Sequence, residues 1–254
     1  MPKVWSFGCS HSQGTELGVG KYTNVNQWLI DNAGTEYFWS LPPNKRGKIA
    51  QEWTKLLEHL YDTTDLETEE KHLSYSGQLA KLLGYELVNK CIRGSGADRA
   101  LHEIIVNNQK NIDWKNDVVL VGITHIYRWM YDDTVYDGNR NLSWMQYHNN
   151  KEFRKAHNTF VKHGPSDFSW SAFNAGIYHL LKLHYPNIIL VDTINITNTF
   201  YPGDFLKKIC YNDYTLEDFA TNQLDRYPQG HYKEYTHEKL AQHIYEKMNN
   251  ENTK

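Results

Sequence analysis

Apolar residues along this chain keep two different rhythms, and the alternation between them predicts strands interleaved with helices. Short apolar-rich runs at Val4 to Phe7, Tyr85 to Val88, Asp117 to Ile123 and Ile188 to Val191 predict buried strands. Between them, apolar residues recur at helical spacing. Ile49, Trp53, Leu56, Leu57 and Leu60 predict a helix over about 48–61, with Pro42-Pro43 breaking the chain before it. Leu79, Leu82 and Leu83 mark a helix that Gly84 can end. Leu101, Ile104 and Ile105 mark another, from Ala97 to about Asn108, and Phe173, Ile177, Leu180 and Leu181 form a further stripe. A last helix carries Leu240, Ala241, Ile244 and Met248 on one face, with Thr236 as its expected N-cap. The acidic stretch Asp62 to Glu70 reads as exposed loop or frayed helix.

Strand–helix alternation with apolar strands implies an α/β domain, a central parallel sheet with helices on both faces. Three polar, irregular segments interrupt it, at about 15–73, 131–169 and 193–230. The expectation is one domain over 1–254 carrying three insertions after the strands. A long connection of this kind is usually a functional cap or lid, or a sign of wrong assignment.

The chain has 254 residues and a formal net charge of -3, so it carries no electrostatic footprint for nucleic acid. Mean hydropathy is low at -0.70, yet 14% of residues are aromatic, which argues against disorder. Aromatics suit sugar-ring stacking and interfaces, as well as core and rim. Cys9, Cys91 and Cys210 are odd in number and widely spaced, so neither a disulfide framework nor a zinc ribbon is indicated. A reducing compartment fits that usage. No secretory leader or membrane-spanning run is read at the N-terminus or elsewhere, and the expected location is the cytoplasm.

The first strand leads into Gly8-Cys9-Ser10-His11-Ser12. Gly8 permits a sharp turn, and a serine there stands at the carboxyl edge of a sheet, where open α/β folds keep their ligand sites. Ser10 is thus a candidate nucleophile, although serine at such a turn also serves as a helix cap. The loops after the next strands bring Gly94, His125 and Arg128 to the same edge, and the approach to the last helix adds His231. A serine hydrolase needs a nucleophile, a base and donors for the oxyanion. Against this, Gly94 and Gly96 can serve backbone conformation alone, and Arg128 can pair with a neighbouring acid. With 13 His in the chain, His231 stands out by its position before the last helix. His237 reads as a first-turn residue.

These residues resemble the motif blocks of the SGNH hydrolase superfamily, the GDSL-like esterases and lipases. Phe7 to Ser12 is similar to the first block, Gly-Asp-Ser-x-Ser, with Cys9 in place of Asp. Asn89 to Gly96 resembles the second block, Val118 to His125 the strand into the third, and Gly230-His231 with the helix after it the fifth. The resemblance implies a flavodoxin-like three-layer α/β/α sandwich. It also implies a serine esterase or acetylhydrolase acting on a small acyl ester, for example an acetyl ester on carbohydrate, without a cofactor. Ser10 falls on the nucleophile, His231 on the catalytic His and Gly94 on an oxyanion donor. Two positions depart from the family. Gly122 to His125 holds no Asn, which leaves Thr124 or His125 as third donor, with Arg128 near the substrate. Pro228 stands where the family has the acid three residues before its His. Asp225 is then the nearest acid upstream, and Asp192 at a strand end is the other. The layout also resembles SGNH-like proteins of tailed bacteriophages, which would place the chain in host cytoplasm or virion.

Two other classes stay open. One is a non-catalytic module of the same fold that binds glycans or proteins through its aromatic insertions. The other is a metal hydrolase using His11, His125 and His231, which lacks tight ligand spacing such as His-Glu-x-x-His.

Overall fold

The structure, a computed structural model, describes residues 1–34, 38–93, 95–123, 128–129, 140–141, 155, 167–193, 213–221 and 226–251. In chain order the elements are β1 (Lys3–Phe7), α1 (Ser10–Gln13), α2 (Val25–Ala33), α3 (Pro43–Thr63), α4 (Leu66–Leu73), α5 (Tyr75–Leu83), β2 (Glu86–Asn89) and α6 (Ala97–His102). There follow β3 (Val118–Ile123), β4 (Arg128–Trp129), β5 (Arg140–Asn141), α7 (Asp167–His184), β6 (Ile189–Asp192), β7 (Tyr214–Thr215) and α8 (Glu234–Glu251). The chain divides into two compact units, one made of Met1–Gln13 and Tyr85–Asp218, the other of Gly14–Gly84 and Phe219–Lys254.

The first unit contains a five-stranded parallel sheet in the order β2-β1-β3-β6-β7. With the small β4–β5 hairpin set aside, this is the strand order of flavodoxin-like three-layer sandwiches. The fold class is therefore α/β, a central parallel sheet flanked by helices, as the strand–helix alternation implied. Trp5, Phe7, Val119, Val121, Ile123 and Leu190 share one buried cluster with Ala97, Ala100 and Ile104 from α6 and its continuation, and with Ala175, Tyr178 and Leu181 from α7. The intervening Val4, Ser6, Val118 and Leu120 are buried too, so β1 and β3 are covered on both faces, the usual state of parallel strands. At the opposite end of the sheet from Ser10, the Asp117 carboxylate accepts the Lys3 N–H at 2.8 Å, Trp5 Nε1–H at 2.8 Å and the Asp113 N–H at 3.0 Å.

The second unit is helical. Leu17, Val19, Trp53, Leu57, Leu60, Leu66 and Tyr227 form its main cluster. Trp53 is fully buried, edge-on to Trp28 with ring centroids 4.8 Å apart. Helix α5 ends at Gly84 with φ +67, the left-handed cap a glycine adopts without strain.

Several elements differ from the pattern read along the chain. Helix α3 begins at Pro43, because a proline at the first helical position lacks only an N–H the helix does not use. The acidic stretch Asp62 to Glu70, read as exposed loop or frayed helix, contains the end of α3 and the start of α4, and α4 is anchored by buried Leu66 and Glu70. Helix α6 passes into a π-helical turn at Glu103–Asn108. In α7 the inward face is Ala175, Tyr178 and Leu181, while Phe173 and Leu180 are half exposed. The fifth strand, β7, is only two residues long, too short for any periodicity. Helix α8 starts at Glu234, which puts Thr236 inside the first turn and not at the cap. Most of 131–169 and 193–230 lies outside the described residues.

Candidate active site

In the first unit the site is built at the carboxyl end of β1. Gly8 leaves the strand with φ +148, a conformation that side-chain-bearing residues rarely adopt. A Cβ there would approach Ser12 Oγ to 2.6 Å, and a Cβ on Gly122 of the neighbouring strand would collide with the same hydroxyl. Two glycines on paired strands thus let Ser12 pack against bare backbone. Ser10 opens the single turn of α1, closed by the Gln13 N–H on the Cys9 carbonyl at 2.9 Å, and is 8% exposed. The loop after β2 docks on the same turn. The Gly8 carbonyl accepts both the Ile92 N–H at 2.9 Å and the Ser95 hydroxyl at 2.6 Å. Ser6 Oγ and Cys91 Sγ lie 3.3 Å apart just below. The segments that resemble the first two SGNH blocks are therefore hydrogen-bonded neighbours.

Asp192 ends β6 and is fully buried in this unit. Arg128 starts β4 in the hairpin with β5. Gly94, Thr124, His125 and Asp225 lie outside the described residues. Among the described residues no group of three His, Cys, Asp or Glu is placed to hold a metal ion, and none of the helices is long and apolar enough to cross a membrane.

The second unit holds His231. A tight turn presents it: the Tyr227 N–H donates to the His231 carbonyl at 2.8 Å, and the Gly230 N–H, at φ +94, donates to the Tyr227 carbonyl at 2.8 Å. Outside the turn, Arg226 and Tyr232 bridge as an antiparallel pair, and the Arg226 guanidinium lies over the Tyr232 ring at 4.3 Å. His231 is buried, its side chain 8% exposed. Its Nδ1 lies 2.6 Å from Oε2 of Glu16, across 215 residues of sequence.

Glu16 is fully buried, and a buried carboxylate is costly unless its oxygens are hydrogen-bonded. Here both are used. Oε2 faces His231, while Oε1 accepts Trp53 Nε1–H and the Gln229 N–H, the latter at 3.2 Å. Glu16 is also the one non-glycine with positive φ among the described residues, at +73. That conformation costs on the order of 1 kcal/mol or more for an L-residue. It is held by Glu70, also fully buried, whose Oε1 accepts the Glu16 N–H at 2.6 Å and the Tyr61 hydroxyl at 2.6 Å. Glu234 adds a further tie, accepting the Gly18 N–H at 2.8 Å and the Tyr227 hydroxyl at 2.7 Å through Oε1.

With Glu16 ionised, the bond requires His231 to carry its proton on Nδ1. Nε2 is then the basic nitrogen, as a general base needs. His237, in the first turn of α8, plays a different part. It is 1% exposed, stacks on Tyr75 with centroids 5.8 Å apart, and accepts the Tyr75 N–H at the start of α5 on Nδ1 at 3.1 Å. Burial pushes its pKa down to about 3, and the nearby charge that His231 can carry adds to this. His237 is a neutral helix cap.

Along the chain Glu16 and Gln229 are not singled out, Trp53 reads only as part of a helical stripe and Glu70 only as the end of an acidic stretch. Their one local signal is that Glu16 sits between Gly14 and Gly18, a setting suited to left-handed backbone. Nothing local names its partner.

No family model matches the chain, and no curated protein matches it. By structure it is distantly similar to carbohydrate esterases. One is a family two carbohydrate esterase from Clostridium thermocellum in complex with cellohexaose, with TM-score 0.44 and 10% identity over 98% of this chain. Another is a carbohydrate esterase family 2 enzyme plus carbohydrate binding domain from Corynascus thermopiles (Myceliophthora fergusii), with TM-score 0.44 and 11% identity over 97% of this chain. The chain spans 64% and 65% of the length of those two structures.

Proposed function

We propose that the protein is a serine ester hydrolase, with Ser10 as nucleophile and His231 as general base, acting on a small acyl ester such as an acetyl ester of a carbohydrate. The observation that carries this reading is the buried His231 with its Nδ1 2.6 Å from a buried carboxylate, which with an ionised carboxylate makes Nε2 the base. The turn at Gly8 and the motif resemblance around Ser10 support the choice of nucleophile.

In the reaction, Ser10 Oγ attacks the ester carbonyl carbon and its proton passes to His231 Nε2. Backbone N–H groups of Ser10 and Gly94 stabilise the oxyanion, with Thr124 or His125 as a third donor and Arg128 on the substrate side. The imidazolium returns its proton to the departing alcohol, and an acyl-serine remains. Water then adds to the acyl carbon, giving its proton to His231. Collapse of that adduct releases the acid and restores Ser10.

The test is hydrolysis of an activated acetyl ester, 4-nitrophenyl acetate, by the full chain. Turnover above the buffer rate is expected for the unmodified protein and not for Ser10→Ala or His231→Ala. Turnover retained in both folded variants would remove the assignment. A folded protein without turnover on a panel of aryl and sugar acetates would point to a binding module instead.

A further inference from the structure

We infer that Glu16 is the positioning acid of His231, and that α3 and α4 form the bed that holds it. The inference rests on the reading of His231 as general base. It assigns a function to the long segment 15–73 after β1, which holds α2, α3 and α4 and which the sequence presents as a cap or lid or as a sign of wrong assignment.

Four observations converge on it. The Nδ1–Oε2 separation of 2.6 Å is that of a charge-assisted hydrogen bond. The carboxylate is fully buried, so its charge is little screened and acts strongly on the imidazole beside it. Its other oxygen is occupied by Trp53 of α3 and by Gln229 of the turn that carries His231. One residue thus clamps the ring and the backbone beside it. Finally, the backbone of Glu16 is held in a strained conformation by Glu70 of α4, itself fixed by Tyr61 of α3. Strain of this kind persists where the surroundings over-determine it, and functional sites are where it collects.

Chemically, Glu16 acts as a hydrogen-bond acceptor and a charge, not as a proton carrier. It keeps the neutral ring in the Nδ1–H tautomer and stabilises the imidazolium that forms when Nε2 takes the serine proton. The proton on Nδ1 does not transfer. Pro228, three residues before His231, is no acid. On this account the charge comes from the other end of the chain.

The test uses the full chain and the rate of covalent labelling by a fluorophosphonate, which needs an activated serine. Glu16→Gln preserves shape and removes charge. Its labelling rate should fall by a factor on the order of 10²–10⁴, as when a triad carboxylate is replaced by its amide. The proton NMR spectrum supplies a readout that a merely structural role would not move. A far-downfield Nδ1–H resonance, absent in His231→Ala, should shift upfield in Glu16→Gln. Trp53→Phe keeps the carboxylate and removes one of its donors, so it should slow labelling less. If Glu16→Gln does not fold, the resonance in the unmodified protein decides. A folded Glu16→Gln that labels at the unmodified rate, or an unmodified protein without a far-downfield Nδ1–H resonance, overturns this inference, and labelling that is lost in His231→Ala then leaves the ester-hydrolase reading standing. Absence of labelling in the folded unmodified protein overturns both.

Discussion

Around Ser10 the backbone is shaped by elements that meet along a sheet edge: β1, its parallel neighbours and the loop after β2, joined through the Gly8 carbonyl and the two bare glycines. Around Glu16 and His231 nothing is periodic. A left-handed loop residue, a turn 215 residues further on and Trp53 of α3 meet through the Glu16 carboxylate, while Glu70 of α4 accepts the N–H of the same loop residue. The first region is held by strand pairing, by packing of the apolar strands and by hydrogen bonds to one backbone carbonyl. The second is a buried polar network in which every member depends on the others being satisfied. The two regions should therefore answer differently to substitution and to pH.

At neutral pH the largest effect of a single substitution is expected in the sheet. Leu120, fully buried in β3, should cost about 3 kcal/mol when replaced by alanine, and the loss should be the same at pH 5 and pH 8 in urea unfolding. A pH-dependent loss would mean that the sheet is coupled to titrating groups.

Trp53→Phe comes next. It removes a hydrogen bond to a buried charge and leaves a small cavity where the indole was, together worth about 2 kcal/mol or more. A stability equal to that of the unmodified protein would mean that water or another donor replaces the indole at no cost.

The third expectation concerns His237. Its folded pKa of about 3 lies below the ordinary 6.5, so between those values the unfolded chain binds the extra proton and the folded one does not. Stability is then complete above about pH 6.5 and falls as pH drops toward 3, by about 1.4 kcal/mol per pH unit inside that window. His237→Asn offers an oxygen to the Tyr75 N–H and has no such titration, so its stability–pH slope should be shallower. An unchanged slope would assign the acid sensitivity to other groups.

The smallest effect is expected at Lys71–Glu67, an exposed pair four residues apart on α4. Lys71→Ala should change stability by about 0.4 kcal/mol and less at high salt. A larger change would mean that α4 bears on the Glu70 contact more than its burial suggests.

The same contrast explains what could be read from the chain. Strands β1 and β3 announce themselves because both faces are buried and apolar runs follow. The turn at Gly8 and the stop at Gly84 are legible because each needs a conformation suited to glycine. Helix α4 was hidden by its composition: six of its eight residues, Glu-Thr-Glu-Glu-Lys-His, are polar, and it is fixed by burial of Leu66 and Glu70. The partner of His231 was hidden for a different reason. A local search looks for an acid just before the histidine, and there the chain has Pro228. Glu16 meets His231 only once the helical unit has folded around both, a long-range pairing without periodicity or spacing of its own.

The most direct test of the central claim, an activated serine served by a buried His–Glu pair, is mass-spectrometric mapping of fluorophosphonate on the native chain. The account predicts one modified peptide, bearing the adduct on Ser10, and none after denaturation or in His231→Ala. An adduct on another residue, or a folded chain that takes up no label, would contradict it.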